Sequence, residues 1–402
     1  MELLFLGTSA GAPSISRNVQ SCAVRLETGE YVVVDCGEGT QQQLLKASAK
    51  SYGANRFRPS RTNVILVTHL HGDHSFGLPG LIVYLDNAAT EKAPPLQIVG
   101  PVGVAAFLRT ALILSRTELK RGYRVTELAT PAPTGGGAYE GAALCTTAPP
   151  VLHPDERAVS EVLAPNDDGM FALELLTGCS LTAAPLAHGS IACVGYRFQE
   201  ADAPGSIDAQ RAAAEAERAG DDARRICRAL RECSLNGAAR LALADGSELN
   251  VADGFVGAVT RRGRVVVVLG DCCHPGGVCS DATLRLAADA DVLVHEATLD
   301  DSFAALALER GHSTPSDAAR VAARARVSHL VLWHFSPRYK STGISCRATR
   351  TTNDDAFRTT FTDAVRAHFG GALTLASDFD RVAVPRRGAK GPQPSPPPPP
   401  PE

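Results

Sequence analysis

One short segment constrains this chain more than any other feature. The residues His69-Leu70-His71-Gly72-Asp73-His74 follow directly on an apolar, β-branched run at 64–67 that is typical of a buried strand. Four metal-binding side chains this close together are unfavourable unless an ion binds them, and imidazole and carboxylate donors suit zinc or a related divalent cation. The segment therefore predicts a metal site at the end of a strand, in preference to a polar surface turn.

Ligand-type residues recur at the ends of other predicted strands. Short β-branched runs predict strands at residues 31–34, 64–67, 265–269, 292–294 and 330–332. Just after such apolar runs come Asp35, His188, Asp271, His295 and His334. Because strands that end on one edge of a sheet bring their last residues together, we expect these side chains to line one cleft.

Helical patterns separate these strands, and the alternation predicts an α/β protein. The helices are predicted at residues 38–50, 79–86, 102–115, 315–326 and 354–369. A segment at 129–169 is rich in proline, glycine and acidic residues, and ligand-type residues lie on both sides of it. It is therefore predicted to be a loop insertion within a single domain that spans residues 1–385.

Two further segments differ from the rest in composition. Residues 206–233 are charged and rich in alanine, which predicts a helical arm within the region 200–255. Residues 386–402 lose the apolar periodicity and contain a proline run, which predicts a disordered, extended tail. Such a tail is expected to suit a proline-recognising protein.

Composition bounds the environment and the partners of the chain. The formal net charge of −3 gives no global reason to expect a polyanionic partner, so any grip on nucleic acid must be local. The 11 cysteines form no Cys-x-x-Cys pair, which favours a reducing compartment. No run approaches the roughly 18 apolar residues of a membrane span. With no N-terminal targeting segment seen before the first strand-like run, cytosol or nucleus is expected.

Several segments together resemble a known family. They are Gly7-Thr8-Ser9, Asp35-Cys36-Gly37-Glu38-Gly39-Thr40-Gln41, the histidine segment continuing into Gly77-Leu78-Pro79-Gly80, His295-Glu296-Ala297-Thr298, and His334-Phe335-Ser336-Pro337-Arg338-Tyr339. The histidine segment alone marks the metallo-β-lactamase superfamily, whereas the last two resemble ribonuclease Z in its short form. The resemblance covers roughly residues 1–128 and 170–350. It implies an αβ/βα four-layer sandwich with a projecting arm, and an endoribonuclease that removes the 3′ trailer of precursor tRNA.

The resemblance also implies a ligand set. One zinc ion would be bound by His69, His71 and His188, and a second by Asp73, His74 and His334. Asp271 would bridge the two ions, which would hold a shared hydroxide as the nucleophile. Manganese, iron or cobalt would suit the same donors.

Roles for the remaining motif residues follow from the same resemblance. Asp73 would accept the proton of the attacking water, and His295 would protonate the departing 3′ oxygen while Glu296 orients its ring. Substrate contacts are expected from Thr298, Ser336 and Arg338, whose guanidinium fork matches phosphate oxygens. Asp35 is expected to hydrogen-bond the ligand loop without binding metal.

Other candidate residues receive structural interpretations. For the triplet His312-Ser313-Thr314, a helix-capping role is preferred over substrate contact, because Pro315 follows it. His274 matches no family position and is assigned a structural role. The adjacent Cys272 and Cys273 are likewise assigned no function.

The sequence departs from the family pattern in two places. The glycine- and proline-rich core of the family's tRNA-binding arm is absent. The corresponding segment instead contains Arg224, Arg225, Arg228 and Arg231. They suit either a substitute basic surface or a solvated helix face. In Gly270-Asp271-Cys272, the cysteine also stands where a threonine usually follows the aspartate.

These departures leave alternative functions open. A general phosphodiesterase acting on small diesters is one, and a non-catalytic, metal-stabilised RNA-binding protein is another. Precursor tRNA is the expected partner, and a homodimer is typical of the family's short form, because one subunit's arm can hold substrate that is cleaved in the other.

Overall fold

The computed structural model describes residues 1–49, 56–90, 92–130, 151–202, 207–236, 238–256, 262–339 and 352–386. They divide into two compact units. The first comprises Met1–Gln199 with Val265–Val384, and the second is built around Glu200–Arg264. Among the helices of the described residues, none is both long enough and apolar enough to span a membrane.

The first unit contains an eight-stranded sheet. Its strands are β1 Glu2–Gly7, β2 Ser21–Arg25, β3 Tyr31–Val34, β4 Thr62–Leu66, β5 Leu96–Pro101, β6 Tyr123–Leu128, β7 Glu161–Leu163 and β17 Arg381–Ala383. In space β17 is followed by β1 to β7 in chain order. The strands from β3 to β7 are parallel, so their carboxyl ends share one edge.

A second sheet of seven strands belongs to the same unit. Its strands are β8 Phe171–Leu173, β9 Cys179–His188, β10 Ile191–Glu200, β13 Val265–Val268, β14 Val292–Glu296, β15 His329–Trp333 and β16 Ala372–Leu375. Their spatial order is β16, β15, β14, β13, β10, β9, β8. The strands β13 to β16 are parallel and contribute a second set of converging carboxyl ends.

Helices cover the outer face of each sheet. Beside the first sheet lie α1 Thr40–Ala49, α3 Leu78–Asn87 and α4 Val104–Leu114, whereas the short α2 Gly72–Ser75 follows the carboxyl end of β4. The later helices of the unit are α7 Asp281–Ala287, α8 Ala304–Glu309, α9 Pro315–Arg324 and α10 Thr352–Arg366. One apolar cluster fills the space between the sheets, where the rings of Phe5 and Trp333 lie 5.9 Å apart. Two more clusters lie under the helices, which gives the predicted order of helix, sheet, sheet and helix.

The segment 129–169 is only partly the loop that its composition predicts. Residues 161–163 form β7, which extends the first sheet beside β6. Glu156 binds Arg109 of α4 through two hydrogen bonds of 2.6 and 2.7 Å. This buried ion pair fixes the chain segment that leads into the edge strand β7. The strand was not predicted because three residues are too few to show a periodicity. Residues 131–150 lie outside the described residues.

The second unit is a small helical body with its own core. It contains α5 Ala209–Ala219, α6 Ala223–Asn236 and a hairpin of β11 Arg240–Ala242 and β12 Glu248–Asn250. The sequence predicts one helical segment, but Gly220 ends α5 with a φ of +61°, a left-handed conformation that favours glycine. Buried Ala216, Ile226 and Leu230 pack with Leu249 of the hairpin. The proline run of the predicted tail lies outside the described residues.

Candidate metal centre

The predicted ligands lie at the carboxyl ends of strands from both sheets. The histidine segment follows β4, His188 ends β9, Asp271 follows β13 and His334 follows β15. Asp35 and His334 each have a φ of +58°, which is unfavourable for a residue with a side chain. Such backbone strain persists because the contacts around each side chain determine its position.

Three imidazoles form the first donor group. Nδ1 of His71 lies 3.0 Å from Nε2 of His69 and 3.3 Å from Nε2 of His188. Two nitrogens bound to one tetrahedral zinc ion stand about 3.3 Å apart, given bonds of about 2.0 Å. The three nitrogens are therefore spaced as one ion requires.

The second donor group combines two imidazoles with a carboxylate. Nε2 of His334 lies 3.2 Å from Nε2 of His74 and 3.3 Å from Oδ2 of Asp73. These separations again fit a single tetrahedral ion.

Asp271 lies between the two groups. Its Oδ2 atom is 3.3 Å from Nε2 of His334, 3.5 Å from Nε2 of His74 and 3.7 Å from Nε2 of His69. One carboxylate oxygen therefore approaches donors of both groups, as the bridging role predicts. The predicted ligand side chains come together without exception.

The surroundings of Asp271 fit divalent cations. Its Oδ1 atom is buried and makes no hydrogen bond within the described residues, which leaves an acceptor that a cation would satisfy. Burial opposes ionisation of the carboxyl, but His334 and His74 outweigh it and hold the pKa of Asp271 well below its usual range. Burial lowers the pKa of His69 and His71, so both rings offer lone pairs near pH 7, whereas for His74 the carboxylates of Asp271, Asp35 and Asp73 outweigh burial and raise the pKa. The donor groups thus form a divalent metal site.

Hydrogen bonds orient the ligand rings from behind. Nδ1 of His74 donates to Oδ2 of Asp35 over 2.8 Å, and Nδ1 of His188 donates to the carbonyl of Gly311 over 2.7 Å. These bonds leave Nε2 of each ring free for a metal. Asp35 also accepts bonds from the backbone and hydroxyl of Thr68, so it supports the ligand loop as expected.

The same orienting role corrects the interpretation of Thr298. Nδ1 of His334 donates to the Thr298 hydroxyl over 2.8 Å, and that hydroxyl donates to Oε2 of Glu296. Thr298 is buried, and its only hydroxyl proton is used in this chain of bonds. It therefore orients His334, which leaves no free hydroxyl proton for the predicted substrate contact at Thr298.

The other two predicted substrate residues lie near the surface. Ser336 is half-buried, and its backbone N–H donates to the carbonyl of Thr298. Arg338 is exposed, and its guanidinium carbon lies 4.6 Å from the ring centroid of Phe303. Both positions remain accessible to a ligand.

The structure corrects the prediction for His295. Side chains alternate along β14, so Val294 and Glu296 point between the sheets, whereas Leu293 and His295 point to the outer, helix-covered face. His295 is fully buried there beside Cys272 and His274. It is therefore on the wrong side of the strand to protonate a leaving group.

His312 occupies the position that His295 was expected to take. Its Nδ1 atom lies 2.9 Å from Oε1 of Glu296 and 3.7 Å from Oδ2 of Asp271. Burial opposes protonation, but Glu296 outweighs it and raises the pKa of His312 to about 9. The preferred interpretation of the triplet holds for Thr314, whose hydroxyl caps α9 in a capping box with Asp317. Because the capping pattern explained the triplet, His312 was not assigned a catalytic role. The histidine within that triplet was the available sequence signal.

Comparisons with known proteins bear on the whole chain. A model of the metallo-beta-lactamase superfamily matches residues 17–94. A ribonuclease Z of Streptococcus pneumoniae (strain CGSP14) is 34% identical over 347 residues, which cover 86% of this chain and 92% of that protein. The chain belongs to the ribonuclease Z family.

Solved structures agree with membership in the ribonuclease Z family. The crystal structure of human tRNase Z, short form, matches with a TM-score of 0.59 and 28% identity over 96% of this chain and 100% of that one. A long-form RNase Z from yeast matches with a TM-score of 0.53 and 16% identity over 95% of this chain and 41% of its own, which shows the fold alone. The predicted family and the predicted metallo-β-lactamase fold are confirmed.

Proposed function

We propose that this member of the ribonuclease Z family is an endoribonuclease that removes the 3′ trailer of precursor tRNA, using two zinc ions. Family membership supports the activity. The observation that carries the proposed chemistry is the position of Asp271, whose Oδ2 atom lies within 3.7 Å of donors from both groups. Nδ1 of His312, a ring whose pKa is raised to about 9, lies 3.7 Å from the same oxygen.

The ions would be held by the two donor groups. His69, His71 and His188 would bind one, Asp73, His74 and His334 would bind the other, and Asp271 would bind both. Bound there, the ions would lower the pKa of a water molecule and neutralise the charge of a phosphodiester. Imidazole and carboxylate donors also accept manganese, iron or cobalt, so the proposal of zinc rests on donor type and spacing.

Asp73 would accept a proton from water. The backbone N–H of Gly11 donates to its Oδ2 atom over 2.7 Å, and Nε2 of His334 lies 3.3 Å from the same oxygen. Burial opposes ionisation, but His74 and His334 outweigh it and lower the pKa of Asp73. Oδ2 would therefore be the atom that binds the metal, and the ionised carboxylate of the part-buried Asp73 would be able to take up a proton.

His312 would protonate the departing 3′ oxygen. Its Nδ1–H donates to Glu296, which fixes the ring plane and leaves Nε2–H as the transferable proton. Bound cations would lower the pKa of His312 from about 9 towards neutrality, because two positive charges would stand beside it. This acid–carboxylate pair replaces the predicted pair of His295 and Glu296.

Contacts with the rest of the RNA would come from Arg338, Ser336 and the second unit. Arg224, Arg228 and Arg231 are exposed on α6 at helical spacing, and within the described residues their guanidinium groups make no ion pair. Three such charges on one helix face can bind phosphates without a fixed sequence motif. They support the substitute basic surface over the solvated helix face.

Phosphodiesterase action on small diesters is the second candidate. One observation favours it: other arginines of the second unit are neutralised by Glu215, Asp221, Asp245 or Glu248. The unit therefore presents less free positive charge than its arginine content suggests.

A cleavage assay separates the two candidates. Zinc-loaded protein is given a 3′-extended precursor tRNA, the same RNA unfolded, and a small chromogenic diester, each with and without a chelator. We expect chelator-sensitive cleavage of the folded precursor that leaves a tRNA 3′ hydroxyl. Hydrolysis of the small diester with the precursor left intact would discard tRNA processing in favour of the second candidate.

Further parts of the proposal concern partners and location. A homodimer, a proline-recognising partner of the tail, and residence in the cytosol or nucleus rest on the family resemblance and the sequence. Sedimentation of the full chain tests the dimer, and deletion of residues 386–402 tests whether the tail affects catalysis.

A further inference from the structure

A second cluster of metal-binding side chains lies outside the site around Asp271. Cys272, His274 and His295 bring their donor atoms to within 4.8 Å of one another, and the three residues are buried. Cys272 and His274 follow β13, whereas His295 lies near the end of β14. Two segments of the chain therefore converge on one point.

The donor atoms are spaced as a tetrahedral ion would require. Nε2 of His274 lies 3.1 Å from Nε2 of His295. The Cys272 sulfur lies 3.8 Å from the His295 nitrogen and 4.0 Å from the His274 nitrogen. Around one zinc ion the corresponding distances are about 3.3 Å between nitrogens and about 3.6 Å between sulfur and nitrogen. Shifts of a few tenths of an ångström would bring the three donors to a common ion.

The orientation of His295 matches that of a metal ligand. Its Nδ1–H donates to the backbone carbonyl of Glu296 over 2.7 Å. The Nε2 lone pair is therefore aimed at Cys272 and His274, in the arrangement by which a second hydrogen bond fixes the tautomer of a ligating ring.

The cluster shares no donor residue with the proposed two-ion site around Asp271. Cys272 and Leu293 belong to the apolar cluster on the outer face of the second sheet. Asp271, by contrast, meets the ligands from the first sheet. The adjacent residues Asp271 and Cys272 therefore point to opposite faces of the second sheet.

Solvent reaches the cluster from one side. His274 lines a cleft of about 690 Å³ together with Asp301, His312 and Asp317. An ion could enter by this route, and a water molecule could complete its coordination.

We infer that Cys272, His274 and His295 form a third metal site, which takes a zinc-class divalent cation through one thiolate and two neutral imidazoles. The site is structural: it ties the loop that holds Asp271 to the strand that holds Glu296. The backbone N–H of Cys272 already donates to Oε1 of Glu296 over 3.0 Å, and its carbonyl accepts from Ser313 over 2.6 Å.

Cobalt substitution gives a direct test, because the proposed donors around Asp271 are nitrogen and oxygen only. The cobalt-loaded chain is expected to show a thiolate-to-cobalt charge-transfer band in the near ultraviolet. Cys272→Thr should abolish the band and lower the zinc content by about one ion per chain. Cys273→Ser, a change in the adjacent thiol outside the cluster, should alter neither.

His274→Gln guards against a folding artefact, because it keeps the thiol and removes one imidazole. It should also lower the zinc content by about one ion per chain, with an unchanged circular dichroism spectrum. Absence of the band in the unaltered chain, or its persistence in Cys272→Thr, would overturn the inference and leave a dry, hydrogen-bonded cluster. Cleavage of precursor tRNA is a separate readout, so failure of the third site is distinguishable from failure of the proposed function.

Discussion

Nδ1 of His312 lies 2.9 Å from Oε1 of Glu296, although Glu296 ends β14 and His312 lies in the loop before α9. The pair stands beside Asp271 on the side where the strand ends converge. The proposed proton donor is therefore already oriented by its carboxylate partner.

Replacing His312 by glutamine should remove the proton donor. We expect kcat on precursor tRNA to fall by about 10²- to 10⁴-fold, the usual contribution of general acid catalysis, with KM and zinc content little changed. His329→Gln, a half-buried histidine bonded to Thr374, is the matched control and should keep the unaltered rate. A His312→Gln rate within twofold of the unaltered enzyme would rule out this role.

Glu296→Gln should move the alkaline limb of the pH–rate profile. Glu296 raises the pKa of His312, so the acid form of the ring is present below that pKa and is lost as pH rises through it. Without the carboxylate charge the pKa falls, and kcat should begin to decline at a lower pH than in the unaltered enzyme. An unchanged alkaline limb would show that His312 is not the titrating acid.

Asp271→Asn should weaken metal binding at both donor groups. Ions that bind only the folded chain stabilise it by about 2.7 kcal/mol at a concentration of 100 Kd. A chelator should therefore lower the Tm of the unaltered chain clearly and that of Asp271→Asn much less. Asp168→Asn, in an exposed turn, should keep the full chelator response. Equal chelator responses in all three proteins would contradict the bridging position of Asp271.

Charge reversal on α6 should weaken the grip on RNA without affecting the chemistry. Arg228→Glu combined with Arg231→Glu is expected to raise KM for precursor tRNA and to flatten its dependence on salt, because fewer phosphate contacts release fewer counterions. Arg240→Glu is the control, since Arg240 already pairs with Glu248. Hydrolysis of a small diester should be unchanged in both proteins. Loss of binding that is equal in the control would point to general charge and not to this helix face.

Asp378 should give the fold a pH-dependent stability. Burial raises its pKa to about 6, although it accepts bonds from Thr8, Asn18 and Gln43. Because the folded-state pKa lies above the unfolded value, the stabilisation that the protonated Asp378 side chain contributes is complete below about pH 4. It is lost as pH rises through about 6. Relative to Asp378→Asn, the unaltered chain should lose on the order of 3 kcal/mol of unfolding free energy over that interval. Parallel denaturation curves at pH 4 and pH 6.5 check it, and a constant difference between the two proteins would refute it.

The convergence of the candidate ligands could be predicted because most of them follow strongly apolar strands, although His188 ends the more polar β9. The donor density around His71 and the β-branched run before Asp271 are local signals in the sequence. The sheets then bring the ends of these strands together. The short strand β7 escaped prediction because three residues carry too little periodicity.

The error at His295 had a different cause. The predicted strand ended at residue 294, so the alternation that sends His295 outward and Glu296 inward was not applied. His312 was missed because its partner lies 16 residues away, while the local sequence already had a satisfactory explanation as a cap of α9. Long-range contacts of this kind cannot be read from spacing alone.

Anomalous diffraction from zinc-loaded crystals would show whether two ions share Asp271. We expect two zinc peaks about 3.5–4 Å apart, one beside His69, His71 and His188, the other beside His74 and His334, with the Asp271 carboxylate between them. A single peak, or two peaks that Asp271 does not touch, would contradict it.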